Sequence, residues 1–407
     1  MKRLLGWALA FLLALLPSLG RAELAAEEKE AADAYFSRAF SRAGAVGGTV
    51  IANRQGERLY SFFYGAGDKK GSRPVDEDTV YKVASVTKLI SAIGVMQLKE
   101  AGKLNLDAPI TYGGLQPIRN PWYPDAPITL RQVMSHTSSF LPSAPYISPP
   151  PWDQLGPKDT RYFSKQEPGA YYAYANLNGG MLCSAVERAS GQSFNAYMTE
   201  HVFAPLGINA AYAAHLLPDA SALSNTYMQD GLLYKRAEKY IQEDADSYDD
   251  TCSPDSHYNA SVGSLYISLR GLEKLGQALA CRGRAGDVLL LSPEAAEEMR
   301  QDQTSLPGSS VKGESPYGLC MYRFTGEDGV SWWGHQGRWE GLLVDLFVEP
   351  KSHTAVVFVM NGVKRSGAGE VDAKAARALL RVDEWLKDIE GREDIGFVVE
   401  DEEEQFP

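Results

Sequence analysis

Apolar residues follow two different periods along this chain. Gly48–Asn53 and Arg58–Tyr64 alternate at a period of two and read as strands of a hairpin turning at Arg54-Gln55-Gly56. An amphipathic helix over Ala25–Ala43, acidic at its start, precedes them. From Ser85 the period lengthens: Leu89, Ile90, Ile93, Val95, Met96 and Leu98 suit a helix with more than one buried face, stopped near Gly102. Further helices are predicted at Thr129–His136, Asn178–Ser190, Ser193–Phe203, Leu272–Ala280 and Pro293–Arg300. Alternation returns in strands over Tyr317–Phe324, Val330–His335, Leu342–Val348 and Thr354–Met360, and a helix over Val371–Ile389 closes the pattern. Six prolines within residues 142–157 mark an ordered surface loop or lid, and the polar, acidic run Asp230–Asp255 reads as a second surface excursion. No segment repeats. The expected fold class is α+β: an antiparallel sheet flanked by helices, built from about 25–100 and 260–390, with a mainly helical subdomain inserted at about 101–259. Ser85 falls near the junction of the two parts.

Residues 1–22 carry two early positive charges, an apolar run Leu4–Leu16 and a small-residue end at Gly20-Arg21-Ala22. This is the pattern of a secretory signal peptide cleaved after Ala22, which predicts a periplasmic or secreted protein with no stable membrane insertion after cleavage. Cleavage removes Lys2, Arg3 and Arg21, taking the formal charge from −12 to −15. So acidic a chain argues against nucleic acid as a partner, which needs basic patches. The main domain is expected over 23–395, ending in an acidic, disordered tail at 396–407. Cys183, Cys252, Cys281 and Cys320 are too scattered for zinc, and no histidine spacing suggests a metal or cofactor. Three pairings are open; the preferred one joins Cys252 to Cys281, leaving Cys183 and Cys320 as buried thiols.

Candidate chemistry starts at Ser85-Val86-Thr87-Lys88, where serine and lysine share one face of a helix's first turn. There the hydroxyl is placed to become a nucleophile, and the ammonium one turn on can hold or relay its proton. Ser309-Ser310-Val311-Lys312 repeats the spacing between glycines with no helix behind it, and reads as a loop coincidence. Tyr174-Ala175-Asn176 sits just before a helix. Tyr174 is a candidate general base if cations lower its pKa, and Asn176 can position a substrate amide or Lys88. In His335-Gln336-Gly337, the glycine permits close approach of a substrate backbone, and the N–H of Arg338 is a candidate partner to that of Ser85 in an oxyanion hole.

With these three elements in this order, the chain resembles the serine β-lactamase and penicillin-recognising family, in its class C β-lactamase, DD-peptidase and esterase branch. Leu130–Ser138, Pro168-Gly169 and Tyr317-Gly318-Leu319 agree with it, and the likeness runs from about Gly47 to Gly362. The resemblance implies a β-lactamase-like fold and acylation of Ser85, with Lys88 and Tyr174 handling the proton. Ser85, Asn176, His335, Gly337 and Arg338 would bind substrate or its oxyanion, and His136 would be structural. It implies a serine hydrolase of an ester or amide: an esterase, D-amino-acid peptidase or β-lactamase-like enzyme acting on a small-molecule or peptide substrate, with the cell wall as one source. The alternative is a non-catalytic binding or scaffolding relative. One departure stands out: β-lactamases of class C carry lysine where this chain has His335. A histidine neutral at pH 7 weakens the case for β-lactams and favours esters or D-amino-acid peptides.

Overall fold

The computed structural model describes residues 26–70, 73–113, 116–147, 161–304, 316–325 and 330–363. The signal peptide expected at 1–22, the stretch 148–157 of the proline-rich segment, Ser309–Lys312, the helix expected at 371–389 and the tail expected at 396–407 lie outside the described residues. The elements used below are α1 (Ala26–Arg42), β1 (Gly47–Arg54), β2 (Glu57–Asp68), β3 (Arg73–Pro74), β4 (Val80–Lys82), α2 (Val86–Glu100), α3 (Leu130–Met134), α4 (Asn176–Ser190), α5 (Phe194–Met198) and β5 (Ala210–Ala211). They continue with α6 (Ala237–Ser247), α7 (Tyr258–Gly263), β6 (Tyr266–Ser268), α8 (Leu269–Ala280), α9 (Pro293–Met299), β7 (Tyr322–Thr325), β8 (Ser331–Trp339), β9 (Leu342–Glu349) and β10 (Thr354–Asn361).

The main sheet has seven strands in the order β7-β8-β9-β10-β1-β2-β3. The amino-terminal hairpin therefore meets the carboxy-terminal meander at its centre, Gly47 opposite Asn361 and Arg54 opposite Thr354. Period-two alternation explains how one sheet serves two cores. Ile51, Val344, Leu346, Val348, Val357 and Val359 join the cluster that contains α2 and α8. Val50, Phe62, Leu343, Phe347, Phe358 and Met360 point the other way, onto Ala32, Phe36 and Phe40 of α1. Burying a phenylalanine side chain is worth about 2 kcal/mol, so Phe36 and Phe40 account for much of the docking of α1.

A smaller sheet, β4-β6-β5, ties the segment before Ser85 to the helical region. From it α2 runs through the interior with Val86, Leu89, Ile90, Ile93, Val95 and Met96 all buried, as a helix apolar on several faces must be. Gly94 makes this fit possible: a Cβ there would lie 2.5 Å from Met198 Sδ.

Three expectations need correction. Asp230–Asp255 is not simply an excursion, because it contains a strand at Leu233–Lys235 and the helix α6, anchored by buried Tyr240. The strand expected over Tyr317–Phe324 is confined to Tyr322–Thr325, since Cys320 turns the chain with φ 55° and its N–H bonds Met134 O. Cys252 and Cys281 are not joined; all four thiols are free. The Cys252 thiol contacts the Glu187 carbonyl on α4, whereas Cys281 caps α8.

Candidate active site

The chain enters α2 through a strained turn. Ala84 has φ 46°, a left-handed conformation that costs a non-glycine residue about 1–2 kcal/mol. Ser85 follows at the N-cap position, yet its hydroxyl makes no capping bond to its own helix. A serine in this position ordinarily spends its side chain on the helix terminus. Here Lys88 Nζ lies 3.0 Å from Ser85 Oγ instead.

Lys88 is fully buried. Its Nζ also reaches Asn176 Oδ1 at 3.0 Å and the Val262 carbonyl at 2.8 Å. Gly179 opens the passage for it, since a Cβ there would lie 2.8 Å from Lys88 Cε. Burial outweighs these contacts and brings the amine down to about pKa 7. Near neutral pH the amine is therefore substantially deprotonated. Asn176 and Val262 hold it in place while its lone pair can take the proton of the Ser85 hydroxyl. Asn176 spends its carbonyl oxygen on Lys88, the second of the two tasks open to it.

Tyr174 stands beside this pair, its ring centroid 5.4 Å from Lys88 Nζ. Its pKa moves opposite to expectation. Burial first, then neighbouring Tyr322, push it well above the usual tyrosine value. Lys88 is no fixed cation at neutral pH, so it cannot offset that burial. Tyr174 thus keeps its proton, and of the two groups Lys88 is the one suited to be the base. The tyrosine ring is fixed by Tyr322, stacked at 6.0 Å, and by His136 at 4.2 Å. His136 Nδ1 accepts from the Ala175 N–H and lies 2.9 Å from Asn178 Nδ2, while burial holds the ring neutral. Tyr174→Phe is expected to lower turnover by about 10²-fold without moving the melting temperature appreciably, as loss of a proton-transfer group should. Near-normal turnover in that variant would remove Tyr174 from the proton path.

On β8, His335 is 1 % exposed and lies 5.0 Å from the Tyr322 ring. Its Nδ1 is 2.6 Å from the Gln336 carbonyl, an acceptor only, so Nδ1 carries the proton and Nε2 is left as an acceptor with no partner among the described residues. Burial, aided by Lys88, lowers its pKa to about 3, so it is neutral at pH 7. Gly337 does not make room for substrate backbone. It makes room for the chain itself: a Cβ there would lie 2.1 Å from Val83 O and 3.2 Å from Val86 N. This contact sets Arg338 beside the start of α2. Because backbone cannot yield as a side chain can, Gly337→Ala should displace β8 from Ser85 and cut kcat/KM on the order of 10²-fold, with a lower melting temperature. Unchanged kinetics in the alanine variant would show that the contact does not position the site.

The structure thus gathers Ser85, Lys88, Tyr174, Asn176, His335 and Gly337, with Arg338 exposed at the edge. The sequence motifs do not reveal the Val262 carbonyl, because a backbone acceptor leaves no residue signal. They also miss the packing of Tyr174 by Tyr322, which depends on the pairing of β7 with β8. Among the described residues no group of three or more histidine, cysteine or acidic side chains could hold a metal ion, and no helix is long and apolar enough to cross a membrane.

Comparison with known proteins places the fold and the family. The chain is 34 % identical over 214 residues to Esterase EstB of Burkholderia gladioli, a match covering 47 % of this chain and 52 % of that one, about half of each. It is 26 % identical over 339 residues to the putative penicillin-binding protein PbpX of Bacillus subtilis, covering 82 % and 75 %. The octameric penicillin-binding protein homologue from Pyrococcus abyssi superposes with TM-score 0.66 at 20 % identity, covering 85 % and 76 %, a likeness of fold. The model of the Beta-lactamase family matches residues 31–381, which include every residue of the site described above. The chain belongs to the Beta-lactamase family, and its fold is the β-lactamase-like arrangement of antiparallel sheet and helices.

Proposed function

We propose that this protein is an exported serine hydrolase that cleaves carboxylic esters through an acyl-enzyme on Ser85. The observation that carries the reading is the Lys88 amine, fully buried, 3.0 Å from Ser85 Oγ and near pKa 7. Ser85 Oγ attacks the ester carbonyl carbon as its proton passes to Lys88 Nζ. The N–H groups of Ser85 and Arg338 receive the oxyanion, helped by the positive end of α2. The proton returns through Tyr174 to the departing alkoxide, leaving acyl-Ser85 and an alcohol. Water then attacks the acyl carbon, yielding the acid and restoring the Ser85 hydroxyl.

Esters are preferred over β-lactams because His335 offers no cation to a carboxylate beside the scissile bond. The similarity to an esterase supports the same choice. Export rests on the apolar leader at residues 1–22. The test is a substrate panel: p-nitrophenyl butyrate, a chromogenic cephalosporin and a D-Ala-D-Ala peptide. The butyrate ester should be the fastest by at least about tenfold. A faster cephalosporin or peptide would overturn the preference, and no turnover of any would favour a binding protein.

A further inference from the structure

Lys82 stands three residues before the nucleophile, at the end of β4, and the mechanism above makes no use of it. Its ammonium is enclosed by three aromatic rings, with Nζ 4.9 Å from the Trp339 centroid, 5.2 Å from Tyr266 and 5.7 Å from Tyr240. These come from three separate elements: the end of β8, β6 and α6. Trp339 Nε1 donates to the Tyr240 hydroxyl at 3.3 Å, which fixes two of the walls together. Trp339 itself remains 38 % exposed.

An ammonium carries three N–H donors and no acceptor. The ring faces attract the charge of Lys82 but provide no conventional acceptor atom. Among the described residues Lys82 makes no ion pair. The nearby carboxylates form no ion pair with it: Asp244 accepts from the Ala214 N–H at 2.7 Å, and Glu243 pairs with Lys235 at 2.7 Å. Burial lowers the pKa of Lys82, Lys235 lowers it further, and Asp244 and Glu243 oppose this. A cation so placed gains from an incoming anion.

The position of this cage relative to the reaction follows from β8. Gly337 abuts Val83, so Trp339, two residues on, meets Lys82, one residue back. A strand advances about 3.3 Å per residue, which sets the cage a few carbon–carbon bonds beyond the Arg338 N–H that faces the oxyanion. We propose that Lys82, within its Trp339–Tyr240–Tyr266 cage, is a specificity-determining residue that binds a carboxylate at the far end of the substrate's acyl group. The substrate class is then the half-ester of a short dicarboxylic acid. This rests on the esterase reading, and it is distinct from any carboxylate beside the scissile bond, where His335 is neutral.

The test compares mono-p-nitrophenyl glutarate with p-nitrophenyl butyrate on the full-length protein. The wild type should prefer the glutarate, and Lys82→Met should lower the glutarate-to-butyrate ratio of kcat/KM by about tenfold or more, through KM, the scale of one charge-assisted contact. Lys82→Arg should retain most of the preference. Methionine keeps the length of the side chain and removes a costly buried charge, so the variant should fold. Added salt should reduce the ratio in the wild type and leave it unchanged in Lys82→Met. A ratio equal in the wild type and Lys82→Met would overturn this inference alone. Failure of the wild type to hydrolyse either ester would overturn the esterase reading and this inference with it.

Discussion

Lys88→Met is expected to lower kcat/KM for a p-nitrophenyl ester by at least about 10²-fold, the usual scale for loss of a general base. The wild-type rate should rise as pH increases through about 7, where the buried amine loses its proton, and level off above it. That rise should be absent from the variant's residual activity. Stability provides an independent check on the same group. The Lys88 pKa falls from 10.5 in the unfolded chain to about 7 in the folded one. Between those values the unfolded chain binds the extra proton, so this lysine makes wild-type stability increase with pH. Below about pH 7 both forms are protonated and its contribution stops changing. Denaturant titrations of the wild type and Lys88→Met at pH 6, 8 and 10 (about those values) should show wild type gaining on the variant as pH rises. A constant difference would mean that Lys88 stays charged in the fold and is not the base.

Ser85→Ala should lose essentially all turnover, roughly 10⁴-fold or more, as removal of a nucleophile from a coupled unit does. The fold should survive, because the Ser85 hydroxyl does not cap α2 and its removal deletes one oxygen from a partly open position. What remains is a Lys88 amine still bound to Asn176 and Val262. Ser309→Ala is the natural control, since the same Ser-x-x-Lys spacing there is followed by no amphipathic pattern and falls in a glycine-bounded stretch of sequence. It should leave both rate and melting temperature unchanged. Activity surviving in Ser85→Ala, or lost in Ser309→Ala, would contradict the assignment of the nucleophile.

Much of the fold was legible because burial imposes its period on the chain. The Gly48–Asn53 and Arg58–Tyr64 hairpin, the helix after Ser85 and the strands at Leu342 and Thr354 all stand within a few residues of their predicted bounds. Failures arose where local composition misleads. Asp230–Asp255 is polar because α6 exposes most of its length, yet Tyr240 secures it to Tyr266 and Trp339. The Cys252–Cys281 pairing failed because sequence carries no information on which helix end each thiol approaches.

In the site, residue types were legible and environments were not. Ser85, Lys88 and Asn176 meet as spacing and resemblance suggested. Opposite protonation tendencies for Lys88 and Tyr174 could not be read, because both depend on how completely each group is buried. Gly337 was singled out for a close approach of substrate backbone, and the backbone that approaches it in the fold belongs to Val83. Each of these is a packing fact between residues distant in sequence, such as Tyr174 with Tyr322 and Gly337 with Val83.

The central claim is that Ser85 is the covalent nucleophile. It is tested most directly by treating the wild-type protein with a fluorophosphonate probe at neutral pH and mapping the modified peptide by mass spectrometry. One adduct is expected, on the peptide containing Ser85, absent from Ser85→Ala and slowed in Lys88→Met. An adduct on the Ser309 peptide, or no adduct on any serine, would contradict the account.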